Sequence, residues 1–308
     1  MAFETGSATD VYDLLDKLRA FAVAQGWTVN RWANGDELCL EHNGGYWNCK
    51  AVDDLGGSSP YLSSYNTDDP GIRVRGSTGF NSGSNWDAQP NVTTSETGIG
   101  VFVDGDVKGY WLFADASATY IHLAARINTN TYCHLHLGHL SKLGTWTGGQ
   151  YLAGTIARNG SSAGDNITTS FARHGVGSGT IRADIDGASN AWQSLGDNPA
   201  GQLECSGGFG RNIQTGADNT LLGALLGSGP ASWDGRSPMW PCPVLLQRPS
   251  NRHSIAGYPL DLRVLNVKNL AAERVLTYGS DEWMVFPFTR KHASEASYYG
   301  GFAYRKIP

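Results

Sequence analysis

The first clear hydrophobic period in the chain runs from Thr9 to Gln25. Val11, Leu14, Leu15, Leu18, Phe21 and Ala22 recur at intervals of three and four, which on a helix gives one apolar stripe facing a core. Ser7 and Asp10 offer a capping-box-like start, and Gly26 stands where a left-handed stop belongs. The pattern predicts a single amphipathic helix of about four turns. The period then changes to two. Trp27–Trp32, the turn dipeptide Asn34-Gly35 and Glu37–Glu41 predict a hairpin, with Tyr46–Val52 as a third strand.

Residues 1–52 therefore read as a helix-plus-meander module. From 53 to 98 the chain turns to Gly, Ser, Asn, Asp, Thr and Pro, broken only by Ile72-Arg-Val-Arg75. A stretch this long without a period of its own points to a functional or partner-ordered loop. Residues 99–308 read as a β-rich core with long insertions. Gly100–Val103, a turn at 104–106, Lys108–Phe113, Tyr120–Ala125 and Tyr132–Leu140 follow at hairpin spacing. Leu262–Val267, Arg274–Tyr278, Trp283–Phe288 and Tyr299–Tyr304 form the closing strands. Between these sets, residues 158–218 are rich in Gly, Ser, Asn and Ala; Leu221–Leu226 is an apolar island of either type; Ser237–Pro243 is a proline-bearing connection. No fixed-period repeat emerges, which disfavours a solenoid or propeller. The expected fold class is α+β and β-dominated: an N-terminal amphipathic helix, then antiparallel sheets around a sandwich-like core, with long Gly/Ser/Asn-rich loops.

Composition sharpens that reading. Glycine supplies 40 of 308 residues and charged residues are 17%, against typical shares of about 7% and about 25%. With 10 Trp, 13 Tyr and 10 Phe, aromatic mass is sufficient for packed layers, so the glycines mark turns and not disorder. A net charge of −5 gives no broad cationic field, which disfavours nucleic acid as the main partner. No apolar run approaches the roughly 20 residues of a membrane span, and Met-Ala-Phe-Glu-Thr-Gly lacks the regions of a signal peptide. Folding in the compartment of synthesis is expected. The five cysteines, Cys39, Cys49, Cys133, Cys205 and Cys242, show no CxxC spacing, unlike a disulfide framework or zinc ribbon. Cys39 and Cys49 can face each other across a hairpin, but buried free thiols are the favoured reading.

The sharpest chemical constellation is Cys133-His134-Leu-His136-Leu-Gly138-His139. On a strand His134 and His136 share a face, with His139 expected to enter from the following turn, a spacing that can serve a metal. It resembles the HxHxDH signature of metallo-β-lactamase-type hydrolases, but Gly138 occupies the position of the acid that would act on metal-bound water. Histidines on a half-buried strand, hydrogen-bonded to neighbours, are favoured, and no metal or cofactor is assigned. The glycine runs Gly175–Gly179 and Gly207–Gly210 lack the strand-to-helix setting of a phosphate loop or nucleophile elbow. The carboxylate pairs Asp53-Asp54, Asp68-Asp69 and Asp281-Glu282 sit in turn-like settings. Tryptophans in polar surroundings, Trp86, Trp146, Trp192 and Trp233, suit either sugar stacking or subunit interfaces, and interfaces are favoured.

Three segments carry a resemblance. Ser7–Arg19 with Gly26-Trp27-Thr-Val, then Tyr132–Thr155, and finally Gly279–Pro287 with Tyr299–Lys306 resemble virion structural proteins of tailed bacteriophages. The likeness covers roughly a quarter of the chain and rests on packing and turn patterns. It implies a component of the tail, neck or baseplate, with head decoration also open. Such a component assembles in the bacterial cytoplasm into a ring or shell, with copies of itself and other virion proteins as partners. No enzymatic role is expected. On this reading the interface anchors are Trp86, Trp146, Trp233 and Trp240, with Arg73 and Arg75 as polar partners. The alternatives are a receptor- or polysaccharide-binding tail component and, as a minor case, a metal hydrolase using His134, His136 and His139.

Overall fold

The computed structural model describes residues 2–55, 70–93, 99–103, 106–115, 117–127, 131–158, 166–168, 171, 179–185, 191–194, 236–248, 252–288 and 300–307. Among these, helix α1 covers Val11–Ala24, and Val11, Leu14, Leu15, Leu18, Phe21 and Ala22 are buried, the stripe that the period predicts. Its start differs from expectation. Asp10, not Ser7, is the N-cap: its carboxylate accepts from the Asp13 N–H at 2.8 Å, and the Asp13 carboxylate accepts from the Thr9 N–H at 3.0 Å. Ser7 is already part of strand β1, Phe3–Ala8.

After the helix come β2 (Thr28–Ala33), β3 (Glu37–His42) and β4 (Gly45–Val52). Asn34 and Gly35 have φ of 54° and 77°, and Asn43 and Gly44 have 50° and 73°, the paired positive values that type I′ hairpin turns require. The sheet does not end there. It adds β5 (Gly71–Ser77) and β6 (Ile99–Phe102) in the order β2-β3-β4-β5-β6, antiparallel throughout. Residues 1–52 are thus one part of a larger layer. Part of the expected 53–98 loop is likewise built in: β5 is an inner strand, and the segment after it is tied to itself. The Thr78 N–H donates to Pro90 O at 2.9 Å, and Gln89 Nε2 donates to the carbonyls of Asn81, Ser84 and Asn85. Residues 56–69 and 94–98 lie outside the described residues.

The central sheet has seven strands in the order β1-β7-β8-β9-β11-β14-β15, all antiparallel neighbours. Its further members are β7 (Val107–Ala114), β8 (Tyr120–Ile127), β9 (Thr131–His139), β11 (Gly148–Gly154), β14 (Gly179–Ala183) and β15 (Ala191–Ser194). The expected hairpin between Gly100–Val103 and Lys108–Phe113 is not formed. Both edges of β7 are taken by β1 and β8, so β6 pairs with β5 in the other sheet. The 158–218 stretch, expected as loop, also contributes strands, since β14 and β15 extend this sheet. Short β12 (Ile156–Arg158) and β13 (Asn166–Thr168) pair with each other. The island Leu221–Leu226 lies outside the described residues.

A C-terminal sheet follows the order β16-β19-β22-β21-β20. Its strands are β16 (Met239–Pro241), β19 (Leu262–Asn266), β20 (Val275–Tyr278), β21 (Asp281–Pro287) and β22 (Gly300–Lys306). Four match the expected closing strands. β16 lies within the connection that its prolines marked as loop, and as an edge strand it tolerates Pro241. A three-stranded sheet, β10-β18-β17, joins β10 (Ser141–Lys142), β17 (Val244–Arg248) and β18 (Arg252–Tyr258).

The central sheet is covered on both faces, which explains its near-continuous apolar runs. Leu112, Leu123, Leu135 and Leu137 pack with α1 and with Leu38, Leu40, Trp47, Ile72 and Val74 of the N-terminal sheet. From the opposite face Trp111, Phe113, Ala124, Tyr132 and Tyr151 pack with Phe286, Phe302 and Tyr304 of the C-terminal sheet. Register also decides the cysteine question. Cys39 lies opposite Asn48, and Cys49 opposite Leu38, so the two side chains point to opposite faces. Cys39, Cys49, Cys133 and Cys242 are buried free thiols, and Cys205 lies outside the described residues.

Candidate functional site

A cluster of buried titratable side chains lies between the central and C-terminal sheets. His134 and His136, two apart on β9, point to the same face, and both are 0% exposed. The third imidazole beside them is His122 of β8, also 0% exposed, paired in register with His136. Their Nδ1 atoms are 3.1 Å apart. His122 Nε2 lies 3.0 Å from Leu260 O, His134 Nε2 lies 3.0 Å from Pro287 O, and the Tyr304 hydroxyl lies 2.7 Å from His134 Nδ1. Aromatic rings enclose the group. Tyr120 stacks on His122 at 4.3 Å between centroids, Phe302 meets His134 and His136 edge-on at 5.1 and 5.3 Å, and Phe171 covers His136 at 5.0 Å.

His139 is not part of this group. β9 continues through Gly138 instead of turning, so strand alternation sends His139 to the other face. There its Nε2 donates to His42 O at 3.1 Å, and its ring meets Trp47 edge-on at 5.5 Å. Gly138 makes the passage with φ of 155°; a Cβ there would come within 2.6 Å of the Tyr120 Cβ. The expected convergence of His134, His136 and His139 is therefore corrected by parity. Among the described residues no three His, Cys, Asp or Glu side chains are placed to share a metal ion.

Burial holds the imidazoles neutral. It lowers His122 and His134 to about 4, and it lowers His136 well below its ordinary value, with the two neighbouring imidazoles adding to the effect. His139 is also lowered, chiefly by burial. His136 Nε2 and the Tyr151 hydroxyl are sealed without a hydrogen-bond partner. The His122, His134 and His136 rings, all 0% exposed, work as neutral donors and acceptors inside the protein.

The expected interface residues divide. Trp86 is 7% exposed, with the Arg75 guanidinium over its ring at 5.8 Å. Arg75 Nη1 donates to Thr93 O at 2.8 Å, and Arg73 Nη2 donates to Leu55 O at 2.8 Å and Asp54 O at 3.2 Å. Within the chain, Arg73 and Arg75 thus tie Asp54, Leu55 and Thr93 to β5, and Trp86 packs against Arg75. Trp146 is half-buried beside β10, with Lys142 Nζ 5.2 Å over its ring and its own Nε1 donating to Leu143 O at 3.2 Å. Trp240, on edge strand β16, is half-buried against the inner core, with a sealed Nε1 that meets no acceptor. Trp233 lies outside the described residues.

Two residues that sequence reasoning passed over complete the buried group. His122 sits in a run already read as strand, and its signal was a polar residue at an inward position among Tyr, Ile, Leu and Ala. Tyr304 carried none, because its partner is 170 residues away. Around the margins apolar side chains remain uncovered: Leu143 is 48% exposed, Ile255 on β18 is 44% exposed and Val275 on β20 is 37% exposed. Comparison with protein-family models and with curated proteins gives no match for this chain.

Proposed function

We propose that this chain is a structural component of a tailed-bacteriophage particle, in the tail, neck or baseplate, where copies of it form a ring or shell. The observation that supports this reading is apolar surface beside strands that are, among the described residues, at sheet edges. Val275 lies on β20, the last strand of the C-terminal sheet, and Ile255 and Leu143 lie beside β17 and β10, the outer strands of the three-stranded sheet. Such edges are templates for pairing with another chain. A head-to-tail ring covers such edges by repeating one contact from subunit to subunit. In this reading the stacked layers are a sandwich-like core acting as a rigid scaffold, and the Gly/Ser/Asn-rich segments carry contacts to neighbouring virion proteins. It assigns no catalytic residue and no cofactor.

Light scattering after size exclusion, with negative-stain microscopy, tests the reading. The expected result is a closed oligomer of uniform subunit number that grows in with concentration and is suppressed by Ile255→Asp or Val275→Asp. A strict monomer at every concentration that is heat-stabilised by bacterial polysaccharide would overturn it in favour of a glycan-binding tail component.

A further inference from the structure

The three buried imidazoles fix one another's protonation. A carbonyl oxygen only accepts, so the 3.0 Å contacts to Leu260 O and Pro287 O place a hydrogen on Nε2 of His122 and of His134. A neutral ring with Nε2–H has a bare Nδ1. That of His134 accepts the Tyr304 hydroxyl at 2.7 Å, and that of His122 accepts the Nδ1–H of His136 at 3.1 Å. His136 is thereby held in the other tautomer, with its bare Nε2 sealed and unpartnered. A proton added at His136, or displaced onto it when His122 becomes charged, ends on that Nε2 with no acceptor. The His122 contact to Leu260 O and the His134 contacts to Pro287 O and the Tyr304 hydroxyl reach the C-terminal sheet: Leu260 just before β19, Pro287 at the end of β21 and Tyr304 on β22.

We propose that His122, His134 and His136 form an acid-released latch that clamps the C-terminal sheet onto the central sheet and frees it, ahead of the rest of the molecule, when the imidazoles take up protons.

The backbone of Leu260 favours the charged form of His122 and that of Pro287 and Phe288 favours the charged form of His134, but burial outweighs both; the charged side chains nearby are engaged elsewhere. Asp261, in the turn before β19, accepts the Tyr120 hydroxyl at 2.8 Å and pairs with Arg305 at 3.4 Å. Asp115, beyond β7, accepts the Thr119 hydroxyl at 2.8 Å and favours the charged form of His122 only at a distance. Glu273, before β20, binds Arg126 at 2.6 Å and the Tyr132 hydroxyl at 2.8 Å. Tyr120, Tyr132, Tyr151, Tyr304, Cys133 and Cys242 are all pushed upward by burial and stay uncharged in acid. The opposite face of the central sheet, against α1 and the N-terminal sheet, is an apolar cluster with one titratable imidazole beside it, His139, which burial also lowers and whose Nε2 donates to His42 O of β3.

Hydrogen–deuterium exchange of the full chain from pH 7.5 to 4.5, corrected for intrinsic rates, tests the latch. With folded values of about 4 for His122 and His134, opening rises about 30-fold per histidine between pH 7.5 and 5. The expected result is that β19, β21 and β22 lose protection while α1 and β2–β4 keep theirs. Simultaneous loss in both sets, or full protection of β21 and β22 at pH 4.5, overturns the proposal. The Asp261–Arg305 and Glu273–Arg126 pairs weaken in acid as well, so a double variant, His122→Leu with His136→Leu, separates the causes. Its acid opening must shrink by at least about 30-fold; an unchanged pH profile overturns the latch. Where that variant does not fold, 15N-imidazole NMR of the native chain decides. Neutral rings must persist until β21 and β22 open, and imidazolium signals within a still-protected sheet overturn the proposal.

Discussion

The two faces of the central sheet are built from different chemistry. Toward α1 and the N-terminal sheet, Leu112, Leu123, Leu135 and Leu137 meet Leu14, Leu15, Leu18 and Phe21 in a cluster of aliphatic and aromatic side chains. Its stabilisation scales with apolar area and has no preferred direction. Toward the C-terminal sheet, three imidazoles and Tyr304 lie among Phe113, Phe286 and Phe302, and each polar contact has one permitted donor and one permitted acceptor. The first face specifies that layers stack; the second specifies which register they stack in. A fully satisfied network adds uniqueness, and a partly satisfied one is costly. The unpartnered Nε2 of His136, with the unpartnered Tyr151 hydroxyl, therefore marks where this face is most easily upset.

Acid gives the largest expected difference between the faces. His122 and His134 have folded values of about 4, below the ordinary 6.5 or so. Between those limits the unfolded chain binds more protons than the folded one, so stability is complete above about pH 6.5 and falls as pH is lowered toward 4. By pH 5 each histidine accounts for about 2 kcal/mol, about 4 kcal/mol for the two. Urea unfolding at pH 7.5 and 5 measures it. Equal stability at both values would mean that the imidazoles are not held neutral, and the contrast between the faces would fail.

Next in size is the removal of one oxygen. Tyr304→Phe keeps the ring and its stack on Phe113, 4.9 Å between centroids, but leaves His134 Nδ1 facing a ring hydrogen where it accepted a hydroxyl. Depriving a buried acceptor of its donor costs about 1–3 kcal/mol. Thermal unfolding at pH 7.5 should show the loss. A neutral outcome would show that the hydroxyl contributes nothing to the clamp.

These contrasts also show what a linear reading can and cannot reach. The stripe on α1, the Asn34-Gly35 hairpin and the closing strands were legible because period and turn chemistry are local. So was the shared face of His134 and His136, since strand parity needs no partner. Strand β1 was missed because Phe-Glu-Thr-Gly-Ser-Ala has too little alternation to declare itself. β14 was missed because Gly-Thr-Ile-Arg-Ala is short, with a single large apolar residue. The layer change between β6 and β7 depends on which strands take the edges of β7, a choice made by residues far away in sequence. The same limit hid His122 and Tyr304: register alone brings them to His136 and His134. That the Arg75 guanidinium lies over Trp86 was not legible either, because burial, and not residue type, decides it.

The smallest expected effect is the most direct comparison of the faces. Leu15 is 0% exposed within the apolar cluster, and Leu15→Met changes branching, length and flexibility while nearly conserving volume. Packing of that kind relaxes by rotamer adjustment, so the cost should stay under about 1.5 kcal/mol. Tyr304→Phe is the milder edit by atom count, yet it should cost as much or more, because a hydrogen bond cannot be replaced by rearranging neighbours. Denaturation midpoints of the two variants, measured together at pH 7.5, rank them. If Leu15→Met proves the more damaging, the helix face is the tightly specified one, and the directional character assigned to the histidine face does not govern how these layers are held.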